Sequence, residues 1–249
     1  MITSTPHPGG RPSLRELAEA NRLPDHQVMD VATLSWIARS RPAGPGVRAT
    51  MPHRPLLLVP DDSWFARTET AGSTHGVRHG ARVAVLVQLL AHSRGLTPAR
   101  TRALAVAAAC HDCQRHTDRD DPGHGWRAAD WLAGNNEMVA AVLGAKPTTE
   151  AITAVALHDT AHEAFTGDQA NAYHRHPEAV DLLKAADALD RYRLPLARWW
   201  PDLDRLRLAV SAWLPAAAHD LVVHSEQAHL AGATHTQALD HALRATFQE

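Results

Sequence analysis

The sequence predicts an all-α fold, and three observations carry that prediction. Apolar residues recur at helical spacing, as at Val83, Leu86, Val87 and Leu90. Helix-start signals stand at several points. Ser13 with Glu16 three residues on has capping-box spacing, and Thr97–Pro98 pairs an N-cap with a first-turn proline. Aromatic residues form only 5% of the chain while Ala, Leu, Arg and His abound, a composition that favours helix over sheet. With 249 residues, 45% of them hydrophobic, the chain has enough apolar surface for a sizeable core.

Residues 1–12, rich in Pro, Gly and Thr, read as a disordered leader. A short helix is expected from Ser13 to about Asn21, and a second from Asp25 to Arg39, ended by RPAGPG at 41–46. These helices and a connector form an N-terminal appendage over residues 13–72. Within the connector, PLLLVP at 55–60 reads as a short strand or a buried extended link. A central core is expected over 73–195, with C-terminal helices packed on it over 196–249. Extending the Val83 stripe back four residues reaches His79, so a histidine opens a core-facing helix. The helix begun at Thr97–Pro98 runs to His111–Asp112. Further helices are expected near 124–134, 148–163, 176–194, 201–214 and 217–246, divided by GNN, GAKP, RHP, WWP and LP.

A formal net charge of −2 supplies no bulk field to hold nucleic acid or an anionic membrane. No 18-residue apolar run and no hydrophobic leader are present, so neither a membrane span nor a secretory signal is expected, and the protein reads as cytoplasmic. Cys110 and Cys113 have CxxC spacing. A redox or metal pair would need a partner pair or a strand-to-helix setting, so they read as small packing residues.

The chain holds 18 histidines, and three lie in His–Asp dipeptides: His111–Asp112, His158–Asp159 and His219–Asp220. Context separates the three. His111–Asp112 closes the apolar run Leu104–Cys110 and precedes the polar CQRHTDRDDPGHG, which leads to His124. His158 closes AITAVALHD. Asp187 lies in LLKAADALDRYRL, where Leu182, Leu183, Ala186 and Leu189 mark a buried face. A carboxylate beside such a face is costly unless paired or bound to a cation. Imidazoles with carboxylates suit Mn, Fe, Co, Ni or Zn rather than Ca. The histidines at 219, 224, 229, 235 and 241 step by five or six residues, build no helical face and are expected to be solvated. Trp199–Trp200 is expected to pack the C-terminal helices onto the core, with an aromatic pocket wall as the alternative.

The order His79, His111–Asp112, His124, His158, Asp187 resembles the HD-domain superfamily of all-α, metal-dependent phosphohydrolases. The resemblance rests on HGVRHGARV at 75–83, ACHDCQR at 109–115, PGHGWRAADWL at 122–132, ITAVALHD at 152–159 and AADALDRYRL at 185–194, and covers about residues 74–195. It implies an HD-domain helical bundle, here with extra N- and C-terminal helices. His79, His111, Asp112 and Asp187 would be the core metal ligands, with His124 and His158 able to hold a second ion. One or two divalent transition-metal ions are therefore implied. Asp112 would accept the proton of an attacking water or bridge two ions. Arg115 matches a basic residue near substrate phosphate, Arg82 and Arg191 are further arginines available to it, and His75 is a substrate contact or a loop residue.

The expected function is hydrolysis of a nucleotide or other small phosphate ester by a metal-activated water. One alternative is an HD-fold di-iron oxygenase that cleaves a C–C or C–P bond with dioxygen and holds two irons. Another is a non-catalytic HD domain that binds a ligand. The partner expected is a small phosphorylated substrate, with no membrane and no nucleic acid, and the flanking helices leave a homodimer open.

Overall fold

A computed structural model describes residues 11–44 and 54–247. The expected leader lies almost wholly outside the described residues. Among those residues there are twelve α-helices and five short 3-10 turns, with no strand. The helices are α1 (Leu14–Glu19), α2 (Val31–Arg39), α3 (Thr68–Ala71), α4 (Val77–Ser93), α5 (Pro98–Ala109), α6 (His124–Gly134), α7 (Asn136–Leu143), α8 (Thr149–Leu157), α9 (Gly167–Arg175), α10 (Pro177–Asp190), α11 (Leu214–Leu230) and α12 (His235–Thr246). None is long and apolar enough to cross a membrane.

α4 is the hub. Apart from Gln88 it is buried on every side from Val77 to Ala91, because α5, α10, α11 and α12 all pack against it. Its pairing with α5 is close because Gly80 meets the α5 backbone; a Cβ there would lie 2.3 Å from the Ala109 carbonyl oxygen. Gly125 plays the same part between α6 and α8, where a Cβ would lie 2.7 Å from the Val155 carbonyl oxygen. Ala-rich α5 contributes small side chains that let α4 and α8 approach it from two sides.

One continuous apolar core runs from Leu58 through Leu243 and includes the C-terminal helices. A smaller cluster of Met29, Leu34 and Ile37 seats α2 against Trp200 and Val223. Arg41 clasps Asp220 of α11 through two hydrogen bonds of 2.6 and 2.7 Å. The segment 55–60 is an extended link with no strand partner, fastened where Leu56 exchanges hydrogen bonds with the Gln88 amide.

Several boundaries differ from expectation for local reasons. The capping box at Ser13 and the cap at Thr97 form as expected. The second helix starts at Val31, because Asp30 rather than Asp25 caps it. Residues 201–213 form no helix beyond the turn Leu203–Arg205. There Leu206, Leu208 and Val210 alternate inward, the period of extended chain rather than helix. The span 217–246 is two helices, broken at Gly232 with φ +99° and restarted by the Thr234–Gln237 capping box. α7 and α9 were not anticipated. His219 is buried rather than solvated, its Nε2 donating to the Ile37 carbonyl at 2.9 Å. Its neighbours at 224, 229 and 235 are half-buried, and only His241 is exposed.

Candidate metal centre

Five helix ends meet at one point. His79 lies in the first turn of α4, and His111–Asp112 occupies the turn just past α5. His124 opens α6, His158 closes α8, and Asp187 stands near the end of α10. Chain segments at helix ends are free of the i to i+4 ladder, so their side chains can converge where mid-helix positions would be held apart.

All four imidazoles turn the same edge inward. The Nδ1 of His111, His124 and His158 each donates to a backbone carbonyl, of Ala108, Asp121 and Val155 respectively, at 2.7 Å. The Nδ1 of His79 donates to Asp190 at 2.8 Å. A carbonyl or carboxylate oxygen only accepts, so these bonds place the proton on each Nδ1 and turn each Nε2 toward the centre, where a cation would take the place of any proton there. The Nε2 atoms of His79 and His111 are 3.1 Å apart, as are those of His124 and His158. Two lone pairs at that distance repel unless a proton or a cation sits between them.

The carboxylates divide the donors into two groups. Asp187 Oδ1 is 3.3 Å from His79 Nε2 and 3.8 Å from His111 Nε2. Asp112 reaches both groups: Oδ2 is 3.5 Å from His79, while Oδ1 lies 3.0 Å from His124 and 3.3 Å from His158. The sets His79–His111–Asp187 and His111–Asp112–His158 each have ligand atoms close enough to hold one ion. Nitrogen and carboxylate donors on preset tautomers fit a divalent transition ion. The two sets share His111, whose Nε2 serves one ion, so a second would rest on His124, His158 and the far oxygen of Asp112.

The electrostatics agree with a cation site. Burial and the Arg193 charge oppose protonation of His79, but Asp112, Asp187 and Asp190 outweigh them and lift its pKa to about 9. Burial pushes the Asp112 and Asp187 carboxyls up, yet the surrounding imidazoles, with Arg115 for Asp112, hold both well below the usual carboxylate range. Both carboxylates are thus ionised, and in the absence of a cation His79 carries the proton that offsets part of their charge.

A cavity of about 390 Å³ opens over this centre, lined on one side by Asp112, His124, His158 and Asp187 and on the other by Arg115, Arg191, Arg193 and His75. Arg115 is buried, with Nη1 3.8 Å from Asp112 and 3.1 Å from His124 Nε2. Arg191 is exposed at the mouth. His75 Nδ1 pairs with Asp118 at 2.9 Å; burial, then the charge of Arg193, push its pKa down to about 4 against the pull of Asp118.

Arg82 does not reach the cavity. It is buried one layer back, with Nε and Nη2 donating to Asp190 at 2.7 and 3.0 Å and Nη1 to Glu226 at 2.8 Å. The face three residues on from His79 is covered by α10 and α11, so the expected phosphate contact is instead a buried ion pair.

Four residues of the site were not anticipated. Asp190 orients His79. Asp118 holds His75. Asp159 Oδ2 accepts from the Gly123 and Gly125 amides at 3.0 and 3.3 Å, capping α6 where His124 stands. Arg193 is buried and donates from Nε to the Thr74 carbonyl at 2.8 Å, while its buried Nη1 has no hydrogen bond, Asp190 lying 3.7 Å off. Asp190 and Arg193 follow Asp187 by three and six residues, a helical spacing that was the available signal. Cys110 and Cys113 are free, buried thiols within the apolar core. Trp200 packs against Trp36 of α2, Tyr192 and His219 of α11, so it seats a C-terminal helix as expected, whereas Trp199 instead lines a cavity. Compared with family models, curated proteins and solved structures, the chain matches none.

Proposed function

We propose that this chain is a metal-dependent phosphohydrolase of the HD type, acting on a small phosphate ester. One juxtaposition carries the reading: two buried guanidiniums, Arg115 and Arg193, the latter with an Nη1 that makes no hydrogen bond, line the same cavity as Asp112, His124, His158 and Asp187, four of the six candidate metal donors. Guanidinium groups next to a cation site repel it and each other unless an anion joins them. An anion with several oxygens, shared between cation and fork-shaped donors, describes a phosphate group.

The Nε2 atoms of His79, His111, His124 and His158 and the carboxylates of Asp112 and Asp187 would hold one or two divalent ions. When bound, such ions lower the pKa of water and polarise a phosphoryl oxygen. Asp112, kept ionised well below the usual range, suits a bridging role better than that of proton acceptor. Arg115 and Arg193 neutralise charge that develops on the phosphoryl oxygens. His75, neutral at pH 7, adds a hydrogen-bonding group without adding charge. A cytoplasmic setting belongs to the same proposal and agrees with the free thiols of Cys110 and Cys113.

A di-iron oxygenase is the second reading, favoured by the two donor groups that share Asp112. The deciding experiment is metal identity and stoichiometry per chain by elemental mass spectrometry, on protein purified without chelator and without oxygen, followed by turnover assays. Phosphate release from a panel of esters supports the hydrolase. Two irons with dioxygen consumption and no phosphate release overturn it. Metal and ester binding without either turnover would leave a ligand-binding domain.

A further inference from the structure

We infer that the cleft continues past its phosphate end into a second compartment that selects the organic part of the substrate, and that this part is a planar group laid on Trp199. The inference rests on the phosphohydrolase reading. Next to the metal cavity lies another of about 590 Å³, and the two share His75, Arg119, Asp120, Arg191 and Leu194 along their border. Together they reach the size of sites that take a whole organic ligand, far more than a phosphate group fills.

The far walls come from the N-terminal segment and from Trp199. Leu23, Leu194 and Trp199 are half-buried apolar faces, and the side chain of exposed Asn21 offers an amide with no hydrogen bond among the described residues. Trp200 next door is committed to packing against Trp36 and Tyr192, whereas Trp199, with the Arg198 guanidinium 5.3 Å from its ring centroid, lines the cavity. An indole face beside a basic border is a platform for a flat ring whose other end carries negative charge.

The compartment is built onto the site. Asp118, which holds His75, also accepts from the Gln27 amide at 2.5 Å, and its own amide donates to the Asp25 carbonyl at 2.7 Å. The Thr74 amide donates to the Gln27 carbonyl at 2.8 Å. Residues 25–27 are thereby held in register with His75 and the phosphate end. The segment between α1 and α2, through Asn21, Leu23 and Gln27, serves the site as its specificity wall.

The test uses the full chain loaded with its divalent ion and two phosphonates that share a head group, ethylphosphonate and 2-phenylethylphosphonate, with affinities measured by calorimetry. The phenyl compound should bind about tenfold more tightly, the scale of one aromatic stacking contact. Trp199→Ala and Leu23→Glu should each remove most of that preference; the second variant covers failure of the first to fold. Equal affinities in the wild type, no binding of either compound, or a preference retained in both folded variants overturns the inference. Hydrolysis of ethyl phosphate and 2-phenylethyl phosphate is measured alongside. A binding preference without phosphate release from either ester leaves the compartment standing and removes the hydrolase. Phosphate release without any preference in binding does the reverse.

Discussion

Replacing Asp190 with alanine tests the layer behind the metal ligands. Asp190 is fully buried and accepts three bonds: from His79 Nδ1 at 2.8 Å and from Arg82 Nε and Nη2 at 2.7 and 3.0 Å. Removing one partner of a buried pair strands the other charge, at a cost of about 3–5 kcal/mol. Arg82 keeps Glu226 at 2.8 Å and Ser225 at 3.0 Å, so the loss should fall near the lower end, about 3 kcal/mol. That is a large share of the marginal stability of a folded domain. His79 would also lose the acceptor that fixes its tautomer, and metal affinity should drop about 10–100-fold. Asp190→Asn, which keeps an acceptor oxygen for His79, should retain more of the affinity than alanine does.

Stability is read from urea unfolding in chelator, and affinity from competition with a chromophoric chelator. The pH dependence has a definite sign. Burial pushes the Asp190 carboxyl up, but Arg82 and His79 outweigh it and bring it down to about 2, below its unfolded value. Its contribution is therefore present above about pH 4 and lost as pH falls toward 2, so the gap between wild type and variant should close over that window. A stability loss with unchanged metal affinity in Asp190→Ala would refute the orienting role and leave only a structural ion pair.

Four other outcomes are expected. Arg193→Ala should lower kcat/KM for phosphate-ester hydrolysis about 100-fold with metal content unchanged, and Arg193→Lys should restore part of it; an unchanged kcat/KM removes Arg193 from the phosphate site. His111→Ala and Asp112→Ala should each lose bound metal while circular dichroism keeps the helical signal. His219→Ala should keep its metal yet lose about 1–2 kcal/mol on unfolding, since it gives up the bond to the Ile37 carbonyl; metal loss there would mean the wrong His–Asp pair was chosen. Gly125→Ala puts a methyl 2.9 Å from His158 Nδ1 and 2.7 Å from the Val155 carbonyl, so it should destabilise by about 1–3 kcal/mol and weaken the ion held by His124 and His158, measured as a fall in stoichiometry.

Much of the fold was legible in the sequence where the signal is local. The capping box at Ser13, the Thr97–Pro98 start and the stripe from His79 to Leu90 each depend on neighbours three or four residues away, and each appears as read. Positions 201–214 misled because their apolar residues alternate, and the tertiary surface they cover decides that extended chain suits them better than a helix. α7 is apolar at most of its eight positions and α9 buries none of its nine residues, so neither sets a core-facing stripe against a polar face in the way α4 does.

The candidate donors His79, His111, Asp112, His124, His158 and Asp187 and their order were legible in the sequence as the set the HD-domain resemblance implies, and the structure brings their side chains together. Only the tertiary structure decided that the two oxygens of Asp112 face different histidines and that Arg82 is sealed behind Asp190 while Arg193 faces the cavity. A side chain three residues from a ligand can lie on a face toward the cleft or toward another helix. Which it is depends on where α10 and α11 cross α4, a matter of packing between segments more than a hundred residues apart.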